Sequence, residues 1–582
     1  MRTLKINGRK INYSILLVVI VILQVVLITY VFAEKKHGFH SDELWNYGFS
    51  NSSEGGTIYS RDGKAINTYK WVDSDVFLKY ISVDENEIFD YKSVYINAEK
   101  DINPPLQYFI LHAVSSLRPN TWSKWYCFII NIISFVMTQV FIYKTLRLIF
   151  GELCGVSGCV LYGFCVGSIN VTIFLRLYAL AVVFAVMFFY YSVKFFHDRN
   201  DNKTGKKDIV KLFFVVIAGA LTLHQFLIYA FAVTFMYCFY YLIKKDFKSM
   251  FLYGAACLSG VIMSIVIFPT AVSHLFKYSD MRAVMRLSGP YQFLMYMAYL
   301  GRDITGIYIS LTPSKTQSAV CFILGAATAL FLIACLVLKN KKWVKSLIDR
   351  IKKIKNELPV VLKKKGYHLL VMLCTTLFIL CVCSVNSNVI VMGAYTRRYL
   401  FVIYPIFAMM LIGAIDVFFK TLDKNGRHSD KWLLTAAVFF ALLSTAVNDR
   451  AFYFKYEDDD NAFELIDKNA DCVIVLKDLW VVTCAVNELY DTNSFYLTDR
   501  ENYKSNSYND REVNDNPVYV LIDVNDEYKD ETLDSDSAKE LGYFTDKEDY
   551  LDYYRGVFAM KKCEYIGTDY LYDRKIEVYK LR

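Results

Sequence analysis

Apolar runs of roughly 18–22 residues recur along this chain, and they restrict its fold more than any other feature. A helix of that length crosses about 30 Å of hydrocarbon and satisfies its own backbone hydrogen bonds on the way. The first run, residues 11–33, follows Arg2, Lys5, Arg9 and Lys10. Its apolar core is too long for a signal peptide, so it reads as a retained span with the N-terminus inside. Ten more runs fall at 124–150, 153–171, 174–195, 210–224, 226–243, 250–270, 319–338, 368–385, 399–419 and 432–447. The chain is 55% hydrophobic, above the roughly 45–50% of soluble domains. The expected fold class is a polytopic α-helical membrane protein of about eleven spans.

Charge orients those spans. From Asp449 onward there are 17 basic and 32 acidic residues, against 48 and 25 in the preceding part. The segments 194–211, 244–248, 339–365 and 420–431 are rich in Lys and Arg. All four fall in the cytoplasm if the amphipathic stretch 106–117 lies in the membrane interface rather than across it. The same parity puts the loop after the first span, the loop 271–316 and the C-terminal tail outside. Four regions follow: 1–33, a cytoplasmic stub and first span; 34–123, a first external loop; 124–448, a multispan domain; 449–582, an acidic external domain. The tail opens on Asp458-Asp459-Asp460 and then alternates. Helix is expected over 462–468 and 481–490, and strand over 472–476, 518–522 and 576–579, which describes a small α/β domain. Nothing in the charge pattern calls for nucleic acid. Most of the 14 cysteines lie in apolar runs and no CxxC occurs, so neither zinc nor a disulfide framework is supported.

Candidate chemistry begins at Phe39-His40-Ser41-Asp42-Glu43-Leu44-Trp45, just past the first span. One carboxylate of Asp42-Glu43, ionised at neutral pH, suits a general base at the membrane edge. A solvated loop accounts for the pair equally simply. Arg176 and the pair Arg397-Arg398 stand near the outer starts of two spans. A guanidinium there either snorkels to headgroups or takes phosphate oxygens in its fork. His224 separates two short apolar runs on the outer side. It is a candidate site-lining group, with a satisfied structural histidine as the alternative. Arg282 and Arg286 are four apart on the 271–316 loop and share a helix face, facing either the site or solvent.

Read in order, these pieces carry a resemblance. Asp42-Glu43 follows the first span, and Asn103-Pro104-Pro105-Leu106 opens the interfacial helix. Arg176-Leu177-Tyr178, His224 and Arg398-Tyr399 come after. The series resembles the membrane glycosyltransferases of the GT-C fold, in the branch of protein O-mannosyltransferases and aminoarabinose transferases, over most of residues 11–448. The resemblance implies transfer of a sugar from a polyprenyl-phosphate carrier to an acceptor hydroxyl on the outer face. It maps the catalytic acid to Asp42 or Glu43 and the carrier phosphate to Arg397 or Arg398. Where the family commonly has His before Pro-Pro-Leu, this chain has Asn103, which leaves that position's role open. No cofactor is required by such chemistry. A divalent metal is the competing use of the acids, but one Asp-Glu pair supplies few ligands. A lipid transporter or flippase and an envelope assembly scaffold are the other function classes. The absence of an internal repeat weighs against the first.

Overall fold

The computed structural model describes residues 3–6, 9–36, 38–53, 57–61, 64–201, 206–277, 289–307, 341–386, 394–423, 429–447, 461–504, 508, 517–524, 547–571 and 574–582. The chain is a multi-pass membrane protein. Among the described residues, seven helices are long and apolar enough to cross a bilayer: Tyr13–Glu34, Lys124–Ile149, Tyr178–Arg199, His224–Ile243, Phe247–Ile267, Lys365–Ser384 and Arg397–Leu422. The expected span 153–171 is a pair, Glu152–Phe164 and Val166–Ile173, bent by 61°. The runs at 210–224 and 432–447 are the helices Lys206–Ala220 and Ser429–Val447. The run 319–338 lies outside the described residues, as do Asp458-Asp459-Asp460.

The chain divides into two compact units. Unit 1 is Met1–Val31 with Asn131–Tyr453. Its N-terminus is the antiparallel pair β1 (Thr3–Ile6) and β2 (Arg9–Asn12), leading into helix α1 (Tyr13–Glu34). The loop 271–316, read from sequence as a polar connection, contains the helix Gly289–Thr305. That helix ends at Gly306, whose φ of +77° and backbone N–H to the Arg302 carbonyl (2.8 Å) close it.

Unit 2 is Phe32–Ile130 with Phe454–Arg582, two segments far apart in sequence. The first carries helix α2 (Ser41–Asn51), the two-stranded ribbon β3 (Ser60–Arg61) and β4 (Lys64–Ala65), strand β5 (Trp71–Asp73), and helices α3 (Asp75–Ile81), α4 (Tyr91–Lys100) and α5 (Leu106–Ser115). It ends in the start of α6 (Lys124–Ile149). The second carries β6 (Asp471–Leu476), β7 (Ser494–Asp499), β8 (Val518–Asp523), helix Lys547–Val557, β9 (Cys563–Leu571) and β10 (Arg574–Leu581). The sheet order is β5-β7-β6-β8-β10-β9. Strands β7 and β8 flank β6 in parallel, and the remaining pairs are antiparallel. Every residue of β6 and β8, two inner strands of the sheet, is buried.

The three strands read from the tail sequence are present. Residues 462–468 form only a short 3-10 turn over Ala462–Leu465, and 481–490 is the 3-10 segment Leu479–Ala485 followed by Val486–Leu489. The edge strand β5 comes from the first loop. Trp71, Val72 and Asp73 pair with Tyr496, Phe495 and Ser494. Ser74 Oγ meets Thr492 Oγ1 at 2.7 Å, and the Phe77 ring stacks on Phe495 at 4.2 Å between centroids.

Candidate active site

His40 is the N-cap of α2. Its extended backbone (φ −70°, ψ 144°) turns the chain, and its Nδ1 accepts the Asp42 N–H at 3.0 Å. Glu43, three residues on, closes a capping box by accepting the His40 N–H at 2.9 Å. Both carboxylates stand in the first turn, where negative charge complements the helix dipole. Beyond that their surroundings diverge. Glu43 is fully buried, and Lys36 Nζ reaches both of its oxygens at 2.9 Å. Burial pulls the Lys36 ammonium below its ordinary pKa, and Glu43 opposes that pull. The Asp42 side chain keeps 15% of its exposure. Its Oδ2 lies 3.9 Å from His40 Nδ1.

Buried polar groups fix α2 against its neighbours. Asn46 Nδ2 and Gln107 Nε2 both donate to Cys127 Sγ, at 3.5 and 3.6 Å. Tyr47 Oη donates to the Ser123 carbonyl (2.9 Å) and accepts the Cys127 N–H (3.1 Å). Along α2 and α5 the contacts run Asn46 with Gln107 through Cys127, Phe49 on Tyr108, Ser50 with His112, and Asn51 with Ser115. Residue numbers rise together on both helices, so they are parallel and begin at the same end. Asp42 and the Asn103-Pro104-Pro105 segment therefore share that end of unit 2. There Asn103 donates its backbone N–H (3.2 Å) and Nδ2 (2.9 Å) to Asp101 Oδ2, which Tyr108 Oη also reaches. The sequence reading singled out Asn103 and passed over Asp101. An acid two residues before the Asn-Pro-Pro step was the available signal.

The basic candidates belong to unit 1. Arg397 and Arg398 lie on the 3-10 helix Ala394–Ile403, which feeds the helix Tyr404–Leu422. Arg397 is engaged within the protein. Its Nη1 is 3.2 Å from Asp303 Oδ1, and its guanidinium sits 4.4 Å from the centre of the Tyr299 ring. Asp303 is itself buried. It accepts from Tyr404 Oη at 2.6 Å through Oδ2, and its carbonyl accepts from Ser444 Oγ at 3.0 Å. Arg398, half-buried, lies 5.5 Å from the Tyr399 ring. Arg176 is buried in the turn between Val166–Ile173 and Tyr178–Asn200, which Asn131 Nδ2 pins through the Thr172 and Phe174 carbonyls at 3.0 and 2.8 Å. His224 begins the helix His224–Ile243, its ring 6.0 Å from that of His274. Arg282 and Arg286 lie outside the described residues. Lys36, His40 and Asp303 were not read from sequence, because none belongs to a local pattern.

No protein-family model and no curated protein matches the chain. Among solved structures, it is similar to ArnT from Cupriavidus metallidurans in the apo state, with TM-score 0.47, 9% identity, and 98% of each chain covered. The same protein bound to undecaprenyl phosphate gives TM-score 0.44 at 9% identity, with 97% of each chain covered. The archaeal oligosaccharyltransferase AglB from Archaeoglobus fulgidus, in complex with an inhibitory peptide and a dolichol-phosphate, gives TM-score 0.43 at 9% identity. That match covers 81% of this chain and 64% of AglB, so the chain spans under two thirds of AglB's length.

Proposed function

We propose that this chain is a membrane glycosyltransferase with Asp42 as its general base. It moves a sugar from a polyprenyl-phosphate carrier to an acceptor hydroxyl on the outer face of the membrane. The observation that carries the reading is the division of labour in the first turn of α2. Glu43 is fully buried and held by Lys36 and the His40 N–H, while Asp42, one residue away on a helix fixed by Asn46 and Tyr47, keeps 15% of its side chain exposed.

The reaction follows from those groups. Asp42 takes the proton of the acceptor hydroxyl as the oxygen attacks the anomeric carbon. The new C–O bond forms on the face opposite phosphate, the bond from that carbon to the phosphate oxygen breaks, and configuration inverts. Polyprenyl phosphate leaves with the electron pair, so no general acid is needed. Arg398 is the first choice to stabilise the departing phosphate, a preorganised electrostatic role. Arg176 is the second choice. Arg397 holds its segment in place through Asp303. No metal takes part in this scheme, and the C-terminal segment of unit 2 is external.

The test is transfer from a defined polyprenyl-phosphate sugar by purified protein in lipid. Asp42→Asn should lower the rate by about 10²–10⁴-fold, the usual worth of general-base help, with an unchanged thermal midpoint. Full activity in that variant would remove Asp42 from the mechanism.

A further inference from the structure

The sheet of unit 2 contains a topological switch point. The chain leaves β6, returns as β7 on one side of it, then crosses to β8 on the other side, and all three run parallel. In open α/β sheets the crevice outside the carboxyl ends of the strands flanking such a reversal is where ligands bind. Here those ends are Leu476 and Asp523.

The groups gathered there are specific. Arg500, directly after β7, is paired with Asp523 at the end of β8 (Nη2 to Oδ1, 3.3 Å), and the Lys477 N–H donates to Asp523 Oδ2 at 3.2 Å. Arg574, opening β10, holds Asp478 at 2.8 Å, directly after β6 and Lys477. Two residues further on, the half-buried Trp480 meets Trp45 at 6.2 Å between ring centroids. Trp45 lies three residues after Asp42 on α2, on the same side of the helix. The carboxyl edge of the sheet and the start of α2 are thereby joined within one unit. Two donors there are buried without a hydrogen-bond partner among the described residues: the Trp45 indole N–H, and Nε of Arg500, whose side chain is 10% exposed. Buried donors are normally satisfied, so two left over at one crevice point to a ligand.

The chemistry selects its class. Both guanidiniums have their own carboxylate, so neither arginine offers an anion an uncompensated charge. The crevice offers donors and acceptors side by side next to indole rings. That combination fits a neutral polyhydroxylated molecule, whose hydroxyls bridge Arg–Asp pairs and whose C–H faces lie on Trp480. We propose that the switch-point crevice of unit 2 binds neutral carbohydrate, and that the acceptor hydroxyl which Asp42 deprotonates belongs to a glycan. The second half of this proposal rests on the transferase reading above. The first does not.

The test is isothermal titration of the full chain in lipid nanodiscs with four soluble probes, linear tetramers of N-acetylglucosamine, glucose, galactose and mannose. At least one should bind saturably. Trp480→Ala and Arg574→Ala should each weaken it by about tenfold or more. Trp480→Phe, which keeps an aromatic face, should retain most of the affinity and so exclude simple unfolding. No binding by any tetramer, or binding indifferent to Trp480→Ala and Arg574→Ala, overturns the proposal. A chain that binds tetramer but transfers no sugar keeps the crevice and loses the transferase reading. A chain that transfers sugar but binds no tetramer does the reverse.

Discussion

Asp42 and Glu43 are neighbours with opposite fates, and the difference comes from one contact. Lys36 reaches Glu43 across a turn, seven residues back, and both side chains are almost wholly buried. Removing one partner of a buried pair leaves the other charge stranded, at a cost of about 3–5 kcal/mol. Glu43→Gln should therefore lower the thermal midpoint markedly, and Lys36→Met combined with Glu43→Leu should recover much of the loss. Asp42→Asn should move the midpoint little. If Glu43→Gln instead leaves stability intact and removes activity, the roles assigned to the two acids are reversed. The same contact bears on metal. With Lys36 on both Glu43 oxygens, a divalent cation would have to displace an ammonium. EDTA should leave sugar transfer unchanged, and loss reversed by added Mg²⁺ or Mn²⁺ would return Glu43 to a ligand role. Sequence could mark the acidic pair. It could not rank the two, because the ranking depends on a contact between a loop and a helix that no periodicity encodes.

At the scale of elements, the 3-10 helix Ala394–Ile403 is held by a helix from a loop that the sequence presents as merely polar. Asp303 gathers Arg397, Tyr404 and, through its carbonyl, Ser444, and Gly306 ends the helix three residues later. A Cβ on Gly306 would stand 2.5 Å from the Leu443 carbonyl, on a backbone of positive φ that side chains rarely adopt. The two adjacent arginines should consequently separate by experiment. Asp303→Asn removes the carboxylate that faces Arg397 and should cost stability, about 3–5 kcal/mol. Arg398→Ala should spare stability and raise the KM for the polyprenyl-phosphate donor. An Arg398→Ala variant with unaltered KM and rate would reduce Arg398 to a snorkelling side chain. The apolar spans were legible because 18 or more apolar residues permit few other folds. Asp303 was not, since its partner Arg397 is 94 residues away and its own helix is too short and mixed to stand out from a loop.

At the scale of the molecule, the sequence separates a first loop from a C-terminal tail, whereas the fold makes one unit of them. Three tail strands were legible from their apolar runs. Strands β7 and β9 were missed because Ser494–Asp499 and Cys563–Leu571 mix polar with aromatic residues. Strand β5 was missed because three residues carry no pattern and their partners lie over 400 positions away. The merger changes what a deletion can prove. Loss of function on removing residues 454–582 would look like evidence for a scaffold whose tail binds other envelope proteins. Yet the same deletion strips β5 of its neighbour, Phe77 of Phe495 and Trp45 of Trp480, so it would also loosen the segment that presents Asp42. A smaller lesion separates the two. Phe495→Ala removes the ring stacked on Phe77 and should cost about 3–5 kcal/mol. Its effect should appear in hydrogen exchange as faster opening of α2 and α3 together with β6 and β7, since one cooperative unit opens as one. Exchange that quickens in the strands alone would mean that the tail is an independent appendage, and would restore the deletion as a fair test of the scaffold reading.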